Sequence, residues 1–106
     1  YIDGSPIEVT KTNNTSYVAM ENSSSSFRIG VQGSSYANGT IDEVRMWKVA
    51  RTATEISTQM NAELNGNESG LAAYWKFNEG SGTTAFDGTG FGSTGTLVGG
   101  MNWVIE

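Results

Sequence analysis

The chain contains no cysteine and no histidine, and those two absences exclude more chemistry than any motif supplies. Without thiols there is no disulfide framework and no thiolate zinc site. Without imidazole the commonest general base and metal ligand is missing. Proline occurs once, at Pro6, and six basic residues stand against eleven acidic ones, giving a net charge of −5. Such a chain lacks the electrostatic footprint that grips phosphates, which argues against a nucleic-acid partner. No apolar run approaches the roughly eighteen residues of a membrane span, so membrane insertion is not expected.

What is present points to strands and turns. Fourteen glycines among 106 residues, with abundant Ser, Thr and Asn, suit an all-β chain with many connections better than a helical bundle. The length accommodates a single domain over residues 1–106 with a modest core. The chain opens on Tyr1 in what reads as the middle of a strand, so the domain is expected to be truncated.

Tyr1-Ile2, Asp3-Gly4 and Ile7-Glu-Val9 read as strand, tight turn and strand, because Asp-Gly tolerates the positive φ of a hairpin turn. Tyr17-Val-Ala-Met20 is a short strand candidate, and Asn22 to Ser26 is a polar loop that buries nothing. Phe27 to Val31 alternates with period two, as a half-buried strand does. Thr40 to Lys48 is expected to be a strand with Ile41, Glu43, Arg45 and Trp47 on one face and Asp42, Val44 and Met46 on the other. A carboxylate on each face needs a partner: Arg45 for Glu43, a metal for Asp42, or water for either.

Thr52 and Glu55 form a capping box at the start of a helix. Ile56, Met60 and Leu64 recur at a spacing of four, predicting a helix of about three turns that stops at Gly66. Leu71 to Phe77 returns to period two, with Leu71, Ala73, Trp75 and Phe77 inward and Ala72, Tyr74 and Lys76 outward. Between Asn78 and Gly100 eight glycines mark a loop-rich region. Thr94 to Val98 and Met101 to Ile105 are expected to close a last hairpin around Gly99-Gly100.

Seven tyrosines and tryptophans are enough to offer a platform for the C–H faces of a sugar. Most belong in the core, Trp75 above all. Tyr36, in the polar stretch between Ser35 and Asn38, is expected to be exposed, so Tyr36 and Asn38 are the candidate ligand-binding residues. Five Asn-x-Ser/Thr triplets, at Asn13, Asn14, Asn22, Asn38 and Asn67, are a chance product of composition. Gly80-Ser-Gly82 lacks the third glycine and the helix of a dinucleotide loop.

Gly39-Thr-Ile-Asp-Glu-Val-Arg-Met-Trp47, Arg51-Thr-Ala-Thr-Glu-Ile56 and Leu71-Ala-Ala-Tyr-Trp-Lys-Phe77-Asn-Glu-Gly-Ser-Gly82 occur in an order that resembles the C-terminal half of a bacterial laminin-G-like domain, within the concanavalin A-like lectin/glucanase superfamily. Tyr1-Ile-Asp-Gly4 and Phe27-Arg-Ile-Gly30 resemble further markers of that family. The resemblance implies an antiparallel β-sandwich of jelly-roll type with one short helix. It also implies a noncatalytic carbohydrate-binding or adhesion module of a secreted or cell-surface protein, the alternative being a structural spacer or self-associating surface repeat.

In related domains a loop like Asp87-Gly-Thr-Gly90-Phe-Gly92-Ser-Thr-Gly95 lies near calcium, and an acidic residue placed like Asp42 serves as a second ligand. Calcium bound by Asp42 and Asp87 would be structural. The alternatives are an Asx-turn at Asp87 and a surface or ion-paired Asp42. Glycosidases of this fold carry paired glutamates on one strand, whereas Asp42 and Glu43 are adjacent and face opposite ways, and Glu55 and Glu63 fall on the expected helix. Strands lost upstream of Tyr1 would leave an open sheet edge, so a homo-oligomer in which a second copy covers that edge is expected.

Overall fold

The computed structural model describes residues 1–10 and 24–104. The strand expected at Tyr17–Met20, the triplets at Asn13, Asn14 and Asn22, and the end of the last hairpin at Ile105 lie outside the described residues. Within them the order is β1 (Val31–Gln32), β2 (Ser35–Tyr36), β3 (Val44–Trp47), α1 (Ala53–Gln59), β4 (Leu71–Trp75), β5 (Thr84–Ala85) and β6 (Gly95–Thr96). Three two-stranded antiparallel sheets pair β1 with β2, β3 with β4 and β5 with β6. The described residues are thus mostly strands with one short helix, in keeping with an all-β fold.

The tight turn at the start forms as its residues require. Ile2 and Ser5 exchange backbone hydrogen bonds of 2.9 Å each way, and Asp3 (φ 49°) and Gly4 (φ 74°) occupy the left-handed region between them. The pairing goes no further, and Ile7 to Val9 form no strand. The strand expected from Phe27 is also displaced. Gly30 turns the chain at φ 76°, so pairing begins at Val31 and runs through a tight turn into Tyr36, which sits on β2 rather than in a loop.

β3 starts only at Val44 because Glu43 adopts φ 51°, a conformation that interrupts extended backbone. That break swings the Glu43 carboxylate onto the Arg45 guanidinium at 2.5 Å. Val44, Arg45 and Met46 then pair with Trp75, Tyr74 and Ala73, after which the register slips and Trp47 pairs with Leu71. Ala72 is left without an opposite residue, as in a β-bulge.

Both faces of β4 are covered, which corrects the expectation that Tyr74 points outward. Tyr74 is fully buried and clusters with Leu64 and Leu71, with Trp47 packed alongside. Ala73 and Trp75 cluster with Ala85 on the other side, against Ile29, Val44, Phe77 and Leu97. Beyond the bulge, Leu71 thus joins the cluster of Tyr74 instead of that of Ala73 and Trp75. The strand ends at Trp75, and Phe77 turns at φ 58°.

The capping box forms: Thr52 Oγ1 accepts from the Glu55 N–H, and the Thr52 N–H donates to the Glu55 carboxylate at 2.8 Å. The helix is nevertheless two turns long, not three, and none of its residues is buried. Its end is set from outside. The last carbonyls of a helix lack intrahelical donors, and Arg45 on β3 supplies one to Gln59 O, from Nη1 at 2.7 Å, while its Nη2 donates to Ala62 O just past the helix. A cation there also complements the negative end of the helix dipole. Leu64, expected as the last residue of the helical stripe, is buried beyond the helix end, and Gly66 is no helix stop.

Tyr74 ties these pieces together. Its hydroxyl donates to Glu43 Oε2 at 2.6 Å and accepts from the Leu64 N–H at 3.1 Å, while the Arg45 guanidinium lies 5.4 Å from the ring centre. Burial first, and next the bond to Glu43, push the phenol above its ordinary pKa against the opposing pull of Leu64. The final hairpin is also re-paired: β6 joins β5, and Met101 to Val104 form no strand.

Candidate functional site

An open groove of about 1530 Å³ lies between the β1–β2 hairpin, one face of β4 and the segment after β6. Its walls combine apolar and aromatic side chains, including Phe27, Tyr36, Ile41, Trp75, Phe77 and Trp103, with polar ones such as Arg28, Asp42 and Asn78. Phe27 stacks on Trp75 at 6.0 Å between ring centres, with the ring planes 16° apart. Trp103 packs against Phe77 at 6.5 Å and donates its indole N–H to Gly82 O at 2.8 Å. The second indole, on Trp75, donates to Ser93 O at 2.8 Å, so both indole N–H groups have partners.

Tyr36 lies on the wall of this groove with 76% of its surface exposed. Its backbone is held by the β1–β2 pairing and by the Ala37 N–H donating to Gly30 O at 2.8 Å. Asn38 is exposed, and its neighbours Ala37 and Gly39 both line the groove. The two residues expected to contact ligand therefore stand together at one rim. Phe27 and Trp103 went unselected by sequence reasoning, since an isolated aromatic beside a polar run carries no signal of the surface it will face.

Asp42 is exposed and also lines the groove. Asp87 sits elsewhere, beside β4 in the glycine-rich loop. Its Oδ1 accepts the Thr89 N–H at 2.9 Å, the Thr89 hydroxyl at 2.7 Å and the Tyr74 N–H at 3.2 Å, while Oδ2 accepts the Ser93 N–H at 3.0 Å. The bond to Thr89 two residues on is an Asx-turn, and the Gly88 N–H returns to Tyr74 O at 2.7 Å. Asp87 thereby fastens loop 88–93 to β4. Calcium needs six to eight oxygen ligands turned toward one point, whereas every contact made by this carboxylate is a donor. Among the described residues, no three acidic side chains gather where a metal ion would be held. The surroundings of Asp87 fit a hydrogen-bonded turn and do not fit a calcium cradle.

Burial alone would raise the Asp87 pKa, but the donors from Thr89, Ser93 and Tyr74 outweigh it and hold the carboxyl below its ordinary value. A carboxyl depressed on folding contributes stability above its unfolded pKa, about 3.9 for Asp, and loses it as pH falls through the lower folded value. Asp87→Asn is therefore expected to flatten the acid limb of a stability–pH profile below about pH 4. Thermal melts along that limb check it, and an unchanged acid slope would exclude Asp87 as a contributor. Glu55, held low by the Thr52 backbone N–H first, remains on the same limb as an internal reference.

The expected helical Glu63 in fact lies past α1 and pairs with Lys76 at 2.9 Å. Arg51 stacks over Trp47 at 4.0 Å from the ring centre and pairs with Glu55 at 3.0 Å. These charges serve packing on the surface away from the groove walls named above.

A laminin G-type family model described as the concanavalin A-like lectin/glucanases superfamily matches residues 1–57, just over half of the chain, and the chain belongs to that superfamily. The matched stretch contains the Asp3-Gly4 turn, the β1–β2 hairpin with Tyr36, β3 and the start of α1. Comparison with curated proteins gives no match, and comparison with solved structures gives none. At family level, membership fits a noncatalytic binding or adhesion module.

Proposed function

We propose that the chain is a noncatalytic recognition module of a secreted or cell-surface protein, taking a carbohydrate ligand at the aromatic groove with Tyr36 as the stacking platform and Asn38 as a polar contact. The observation that carries this is the position of Tyr36, three-quarters exposed on the wall of a groove that also presents Phe27, Trp75, Phe77 and Trp103. An exposed aromatic face beside an amide is the combination that pairs a sugar's C–H face with its hydroxyls. Among the described groove residues Asp42 is the one carboxylate, whereas glycoside hydrolysis requires two flanking one bond. That lining supports binding without turnover. In this proposal the three small sheets are parts of the two layers of a jelly-roll sandwich.

A glycan array followed by titration of the best ligand tests the assignment. Tyr36→Ala is expected to weaken binding about tenfold, a little over 1 kcal/mol, without changing the melting temperature, since the side chain is largely in water. Equal binding by the variant would remove Tyr36 from the site. Ile2, Val9, Phe27 and Phe91 are each more than half exposed, which favours a second reading as a self-associating repeat. Silence on the array together with a dimer by light scattering would select it.

Calcium is tested separately by melting with the ion and then with chelator. A bound structural ion raises the melting temperature by mass action. The donor set on Asp87 leads us to expect no shift, and a rise that disappears in Asp87→Asn would reinstate the ion.

A further inference from the structure

The chain carries two Asn-Gly dipeptides, Asn38-Gly39 and Asn65-Gly66, in opposite environments. Asn-Gly is the sequence most prone to spontaneous deamidation, because glycine has no Cβ to obstruct approach of its nitrogen to the preceding side chain. The reaction needs a free glycine N–H and a mobile asparagine.

Asn38 and Gly39 are both exposed. Nothing lies within 4 Å of where a Cβ on Gly39 would stand. Among the described residues no hydrogen bond engages the Asn38 amide or the Gly39 N–H, and the neighbouring backbone bond runs from Ala37 to Gly30. At the second dipeptide the Gly66 N–H donates to Glu68 Oε2 at 2.9 Å, and the Asn65 N–H donates to Oε1 of the same carboxylate at 2.8 Å. Gly66 is buried, and a Cβ there would stand 2.0 Å from Gly88 O. One nucleophile is open and the other is clamped by a charged acceptor.

We infer that Asn38 is a site of spontaneous deamidation on the groove rim and that Asn65, with the same following glycine, is protected by the fold. Hydroxide removes the Gly39 amide proton, and the nitrogen attacks Asn38 Cγ. The Cγ–Nδ2 bond breaks, the departing nitrogen takes a proton from water and leaves as ammonia, hydroxide is regenerated, and a five-membered succinimide remains. Water opens either carbonyl of that ring to give aspartate or isoaspartate, with no oxidant or reductant involved. The net charge moves from −5 by one further negative unit. A group that both donates and accepts hydrogen bonds becomes one that only accepts, two residues from Tyr36.

The test is peptide mapping by mass spectrometry of protein held in mildly alkaline buffer, folded and in urea. In the folded protein Asn38 is expected to convert at least about tenfold faster than Asn65, the factor that one hydrogen bond to a charged group represents. In urea the two rates are expected to converge. Gly39→Ala slows conversion at Asn38, and Glu68→Ala accelerates it at Asn65 while leaving Asn38 unchanged. Equal rates in the folded protein overturn the inference, as does a difference that persists in urea, since local sequence would then be its cause. The urea and Gly39→Ala arms decide the matter even if Glu68→Ala fails to fold. Ligand binding enters none of these readouts, so loss of the carbohydrate assignment leaves them unaffected.

Discussion

Gly66→Ala is expected to lower stability by about 3 kcal/mol or more, combining left-handed backbone strain of roughly 1–2 kcal/mol with an overpacking cost of roughly 1–3 kcal/mol. Gly66 is buried at φ 94°, and its added methyl would stand 2.0 Å from the Gly88 carbonyl oxygen. That oxygen cannot retreat freely. The Gly88 N–H is bonded to Tyr74 O, and the loop behind it is fastened by Asp87. Gly90→Ala provides the control, because Gly90 has a similar φ of 79° with nothing within 4 Å of the new methyl. It should show the backbone term alone, about 1 kcal/mol. Urea denaturation of both variants measures the difference, and equal costs would mean that the contact between the two loops does not form.

Arg45→Met is the second large effect, expected to cost about 3 kcal/mol in the same measurement. The methionine fills much of the volume but leaves the Ala62 carbonyl without its donor and removes the charged donor from Glu43, which keeps the Tyr74 hydroxyl, and from Gln59 O, which keeps the Ala62 N–H. The arginine side chain is only 12% exposed, so water replaces those bonds poorly. Arg45→Lys should recover little, since a single ammonium cannot reproduce the planar fork that reaches three acceptors on two segments. A lysine variant as stable as the parent would show that charge alone, and not the fork, holds β3 to the end of α1.

Local chemistry was legible before any coordinates. The Asp3-Gly4 turn, the Thr52–Glu55 capping box, the Glu43–Arg45 pair and the Asx-turn alternative at Asp87 all join residues within three positions of one another, so short spacing suffices to find them. Strand limits were not legible. Period-two alternation through Thr40 to Lys48 gave no sign that Glu43 would take φ 51° and start β3 at Val44. The same alternation placed Tyr74 in solvent, although a tyrosine with partners for its hydroxyl can be covered on any face.

The candidate site divides in the same way. Tyr36 and Asn38 could be named from an aromatic and an amide within a polar stretch. Their place beside Phe27, Trp75 and Trp103 depends on contacts between segments distant in the chain. Asp42 and Asp87 looked alike as oxygen ligands, and only the surrounding donors distinguish a groove-wall carboxylate from a loop fastener.

Composition and short-range pattern alone established a strand-rich chain with a capped helix, no cysteine or histidine, and a net negative charge. Those properties reside in residue types and their nearest neighbours. Tertiary structure decided where the helix stops, which faces of β4 are covered and how tightly Gly66 is packed. Each depends on a group arriving from a remote segment: Arg45 at the helix end, Leu64 over Tyr74 and the Gly88 carbonyl against Gly66. Satisfying buried hydrogen bonds and filling space are properties of the assembled chain.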